Sequence, residues 1–300
     1  MTGTAGRGSP ARDLPGHRGR PCSLSEQEDR PPDAGLLPPG ESARRRARLL
    51  RVWQPAVVPD PQARPVPRPL PVLAVAVLLV VLLLWNNVVI TRTPGHPASY
   101  PLVNALATAV LLAVARASGL SWDELGMARR RLRPGLRWGG AALALVAAGY
   151  AVALAVPALR PLLADDRSAG IDLGELAVRV LVRVPFGTVV WEEVAFRGVL
   201  VAALARMVPV RRAALIAAAA FGLWHIRPTL GGLAANELVA DDLADGPARV
   251  GAVVLVCAGT AVAGLLFTWL RLRSGSLLAP VLLHLATNSL GTVAAAIAQR

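Results

Sequence analysis

Val189–Val199 reads VVWEEVAFRGV, two adjacent carboxylates and one guanidinium inside an apolar run from about Val184 to Ala205. A run of that length can cross a bilayer, where a charged side chain near the centre costs about 2.5–3.5 kcal/mol on insertion scales. Such charges need partners. Glu193 and Arg197 stand four residues apart, acid first, the spacing that favours a helical ion pair. Glu192 points about 100° away from Glu193 on a helix of 3.6 residues per turn, so one carboxylate faces something other than Arg197.

The rest of the chain has the composition such a helix requires. Of 300 residues, 54% are hydrophobic and only 4% aromatic, so the apolar excess is Leu, Val and Ala. With a mean hydropathy of +0.49, this is the make-up of membrane helices packed through small residues, not of a soluble domain. Seven apolar segments follow one another at approximately 70–91, 102–117, 138–159, 174–207, 211–226, 248–270 and 275–297. They predict an all-α, polytopic transmembrane bundle of about seven or eight spans. Pro185 is expected to break the fourth segment in two. Glu175, Arg179 and Arg183 put the first part of that segment at the interface or in a wet groove.

The net charge of +13 gathers in the N-terminal tail and in short loops, which argues for membrane orientation and against nucleic acid as a partner. Arg129–Arg137, Arg206–Arg212 and Arg271–Arg273 fall on one side with the tail. The opposite loops hold His96, Asp165, Asp166, Glu237, Asp241, Asp242 and Asp245, with single arginines at 92, 160, 167, 227 and 249. The positive-inside rule makes the arginine-rich side, and the N-terminus, cytoplasmic in a multi-pass plasma-membrane protein. Residues 1–69 form a Pro/Arg-rich segment without periodicity, expected to be a disordered cytoplasmic tail; residues 70–300 are the transmembrane domain. SWDELG at Ser121–Gly126 has the pattern of a capping box opening a helix. Cys22 and Cys257 form neither a metal spacing nor a disulfide framework, and Cys257 is expected in the core.

Two of the four histidines lie in or at the end of apolar spans. His225 ends FGLWH, one turn after Phe221; His284 lies in PVLLHLATN, one turn before Asn288. Measured from the arginine flank of each helix at about 1.5 Å per residue, Glu192 lies about 21 Å in, His225 about 20 Å and His284 about 16 Å. Carboxylate, two imidazoles and a carboxamide can therefore meet in one layer. A buried carboxylate can take a proton from water. An imidazole can share that water or bind a metal, and an imidazole with an amide can donate to an oxyanion. The set is hydrolytic; with neither GxSxG nor HExxH, no covalent nucleophile is indicated.

Glu192–Glu193–x–x–Phe196–Arg197–Gly198, Phe221–x–x–x–His225 and His284–x–x–x–Asn288, in that order, resemble the motifs of the CPBP family, the CAAX proteases and bacteriocin-processing (Abi) membrane proteins. The resemblance covers roughly Pro185–Leu290, within a core of about 175–295. It implies an intramembrane endopeptidase that hydrolyses a peptide bond in a membrane-associated protein or peptide. Glu192 would be the water-activating base, with His225 on the same water. His284 and Asn288 would polarise the scissile carbonyl and hold its oxyanion, and Glu193 and Arg197 would support and orient. Members are described as metalloproteases, so the resemblance implies either glutamate acting alone or a divalent metal such as zinc on Glu192, His225 and His284. The implied partners are membrane lipid and a membrane-bound peptide or protein substrate. The alternative is a non-enzymatic immunity or scaffold protein of the same fold, its polar layer serving helix association.

Overall fold

The computed structural model describes residues 72–165, 168–234 and 246–300. The tail at 1–69, Cys22 and the loop residues Asp166, Arg167, Glu237, Asp241, Asp242 and Asp245 lie outside them. Among the described residues every regular element is helical. Six helices are long and apolar enough to cross a membrane: α1 (Val72–Arg92), α2 (Tyr100–Ala117), α3 (Arg129–Ala155), α5 (Val210–Leu233), α6 (Pro247–Ser274) and α7 (Leu278–Ala298). Between α3 and α5 runs α4, residues 173–205, whose charges set it apart from these six. The seven elements correspond to the seven apolar segments.

Their burial reverses what hydropathy suggests. The polar-bearing α4 is central, buried at every residue from Trp191 to Leu204. The most apolar helices, α1 and α6, expose Leu73, Val77, Val254 and Leu255 on faces that suit lipid. α6 packs along α5, α7 along α3, and α2 along the first half of α4. Small residues permit these approaches. A Cβ added to Gly139 of α3 would lie 2.8 Å from the Ala279 Cα and 2.9 Å from its carbonyl oxygen. Ala213, Ala214, Ala217 and Ala218 form the buried side of α5. With little hydrophobic drive between helices in lipid, such close packing holds them together.

Three local expectations are corrected. Pro185 does not split α4, because it lies inside a π-helical stretch, Arg179–Val189, whose wider turns carry the chain past the missing N–H. The Ser121 capping box does close, with the Glu124 N–H donating to Ser121 Oγ (3.2 Å) and the Ser121 N–H to Glu124 Oε2 (2.8 Å). It caps a single turn and not a helix, because Gly126 turns left-handed at φ 74°. Cys257, in turn, is only half-buried on α6.

That turn gathers the arginine end of the bundle. Glu124 accepts two hydrogen bonds from Arg206 (2.7 and 2.9 Å), and its carbonyl accepts one from Arg271 (2.7 Å). Arg130 pairs with Asp123, and the Leu277 N–H donates to the Gly126 carbonyl (2.9 Å). The three arginine-bearing loops thus share one end, as their charge pattern predicts.

Candidate active site

α4 carries both acids into the core, and they have different surroundings. Glu193, fully buried, accepts through Oε1 from Arg197 Nη1 (3.1 Å) and from His284 Nδ1 (2.8 Å). The guanidinium of Arg197, itself 1% exposed, lies among three phenyl rings, 3.9 Å from the centre of Phe221, 4.9 Å from Phe267 and 5.9 Å from Phe196. Such ring faces attract a cation most strongly when water is excluded. The helical spacing of Glu193 and Arg197 foreshadows their pair; the bond to His284, from a helix some ninety residues on, is tertiary.

Glu192 faces the other way. Its Oε1 accepts from the indole of Trp224 (3.0 Å), while Oε2 makes no hydrogen bond among the described residues and lies 3.9 Å from His284 Nε2. Glu192 lines a cavity of about 630 Å³ that His225 and Asn288 also line. His225 closes the helix Val210–Trp224, and its Nδ1 meets the Phe221 carbonyl at 2.8 Å. A carbonyl only accepts, so Nδ1 carries the proton and the neutral ring has its lone pair on Nε2. Asn288 sits in a π-helical turn, Ala286–Leu290, and Glu192 directly precedes another, Glu193–Leu200. Such turns are frequent at functional sites.

The structure therefore brings Glu192, His225 and Asn288 to one cavity wall and sets His284, Glu193 and Arg197 behind it. His284 does not line the cavity, because Glu193 holds its Nδ1 and Phe267 packs against its ring at 5.1 Å. Trp224 was legible only as an aromatic beside a motif histidine; its bond to Glu192 was not. Asn86 and Asn87 of α1 escaped the sequence reading altogether. They donate to the carbonyls of Trp224 (3.2 Å) and Leu223 (3.1 Å), and Asn87 accepts from the Arg227 N–H (2.9 Å). Two asparagines in an otherwise apolar span were the available signal. They satisfy the backbone where α5 bends at His225.

A divalent metal would need Glu192, His225 and His284 to converge. Among the described residues no group of three or more His, Cys, Asp or Glu side chains is arranged to hold one. His284 reaches Glu192 from behind the wall that His225 lines. The donor set as arranged does not fit a metal, and no step below passes through one.

Fold and site together define a class: a polytopic helical membrane protein whose core holds ionisable side chains against a polar cavity. Residues 174–290 match the family model described as type II CAAX prenyl endopeptidase Rce1-like. The matched stretch takes in all three motifs and is similar to that family's domain, consistent with a CPBP-family intramembrane protease. No curated protein and no solved structure matches the chain. The match supports a multi-pass membrane protease, a hydrolase, in general.

Proposed function

We propose that the chain is an intramembrane endopeptidase that cleaves a membrane-associated protein or peptide with water activated by Glu192. One observation carries this reading. Glu192 Oε2, buried and without a hydrogen-bond donor among the described residues, belongs to a side chain on the wall of the cavity shared with His225 and Asn288.

Water held between Glu192 and the Nε2 lone pair of His225 gives a proton to Glu192. Its oxygen attacks the scissile carbonyl carbon, and the carbonyl oxygen becomes an oxyanion that accepts from the Asn288 amide. The C–N bond then breaks, and the proton on Glu192 passes to the leaving nitrogen. Glu193 orients His284 through Nδ1, as a carboxylate orients the imidazole of a catalytic triad, and so presents Nε2 to the edge of Glu192. Trp224 holds the other oxygen of Glu192. The protein works in the plasma membrane among lipid, with the arginine end cytoplasmic.

Glu192→Gln keeps the size and the Trp224 bond but removes the base. Turnover of purified protein on a membrane-peptide substrate is expected to fall roughly 10²–10⁴-fold with an unchanged melting temperature. Full activity in that variant would refute the mechanism. Unchanged biological output from every variant in the layer would favour the scaffold alternative. A chelator is expected to leave turnover unchanged; loss that zinc restores would show that the donors close around a metal in the working enzyme.

A further inference from the structure

We propose that the cavity takes its substrate from the membrane face opposite the arginine clusters, so that the bond cleaved lies in a polar peptide segment presented outside the cytoplasm. The proposal rests on the protease reading above for the word substrate, but not for the direction of access.

The two ends of the bundle are distinguishable. At one, Arg130, Arg206 and Arg271 converge on the Asp123–Glu124 turn. Every element that lines the cavity contributes only its far part, measured from that end. α3 supplies Tyr150, and not Gly135 or Gly139 near its arginine-rich start. α7 supplies Thr287 to Ala295, and not the residues beside Leu277, which bonds the turn. α5 supplies His225 and Pro228, in the half remote from its start at Val210, and α2 only its first residue, Tyr100.

Between the cavity and the arginine end the bundle is solid. Phe196, Phe221 and Phe267 enclose Arg197, and Val199, Leu200 and Leu204 are buried beyond them. The opposite end is open, with Leu162, 78% exposed, among the cavity residues. The arginine excess assigns the closed end to the cytoplasm. The open end then faces out.

The cavity wall narrows the class of occupant. On the way to Glu192 it offers the Asn86 amide and the hydroxyls of Tyr100, Tyr150, Thr188 and Thr292. Each already has a hydrogen-bond partner within the protein, and their oxygens keep lone pairs that suit the N–H groups of an extended peptide.

Substituted-cysteine labelling tests the direction. In a Cys22→Ala, Cys257→Ala background, Leu162→Cys, Thr292→Cys and Arg130→Cys are exposed to a charged, membrane-impermeant thiosulfonate in intact cells. The Leu162→Cys and Thr292→Cys proteins are expected to react faster than Arg130→Cys by roughly tenfold or more, because the reagent does not cross lipid. Permeabilisation should bring Arg130→Cys level with Leu162→Cys. The reversed pattern overturns the proposal. So does a Thr292→Cys thiol that stays unreactive from outside while Leu162→Cys labels, since the cavity would then be shut on that face. Labelling needs no turnover, so it can succeed in a chain without protease activity. It can equally fail in one whose Glu192-dependent cleavage is intact.

Discussion

Arg197 is the residue at which structure and chemistry separate most cleanly. Arg197→Ala leaves Glu193, fully buried, with His284 as its remaining hydrogen-bond donor. Breaking a buried pair by removing one partner costs about 3–5 kcal/mol. The guanidinium also sits 3.9 Å from the Phe221 ring centre and 4.9 Å from that of Phe267. A desolvated cation over a ring contributes about 2 kcal/mol more. Against this, the hydrogen bond from His284 Nδ1 to Glu193 Oε1 (2.8 Å) survives the substitution and keeps the carboxylate partly satisfied. That compensation returns the expected loss to about 3–5 kcal/mol. At roughly 2–4 °C per kcal/mol for a domain of this size, the melting temperature should fall by about 6–20 °C. The assay is thermal unfolding in detergent followed by tryptophan fluorescence, with turnover measured well below the transition. Arg197→Lys should recover the charge but not the planar fit among the rings, and should melt between the two. An Arg197→Ala protein that melts with the parent yet has lost turnover would refute the supporting role and place the guanidinium in the chemistry.

Asn288→Ala removes the proposed oxyanion donor, so turnover should drop about 10²–10³-fold while KM changes little; a rise in KM alone would make Asn288 a binding residue. Gly139→Ala puts a methyl against the Ala279 backbone and should cost about 1–3 kcal/mol by forcing α7 from α3, which a melting curve reads directly. Burial pushes the Glu124 carboxyl up, but hydrogen bonds from Arg206 and Ser121 outweigh it and hold the group below its ordinary 4.5. A folded value below the unfolded one means that its stabilisation is complete above about pH 4.5 and is lost as pH falls through the folded value. The melting temperature should therefore decline on acidification below that point, and Glu124→Gln should flatten the decline; an identical acid profile in the two proteins would contradict it.

The helical class and the candidate residues were legible in the sequence because lipid imposes long apolar runs, and because charges inside such runs stand out. Helical spacing foretold the Glu193–Arg197 pair, and depth from the arginine flanks put Glu192, His225 and His284 in reach of one layer. The charge pattern also grouped the three arginine loops, which the Asp123–Glu124 turn does join. Sequence could not decide which helix lies at the centre. Hydropathy ranks α4 as the least suited to lipid, but only packing shows that α1, α2, α5, α6 and α7 surround it. Nor could sequence divide the layer. His284 turns from the cavity because Glu193 and Phe267 hold it, while Glu192 turns toward it, steadied by Trp224. Those contacts join residues far apart in the chain, and their geometry depends on π-helical turns that no simple periodicity announces. Composition and spacing thus pointed to which groups share one layer; the tertiary packing alone decided which of them face the cavity, because contacts such as Glu193–His284 and Trp224–Glu192 fix the side chains.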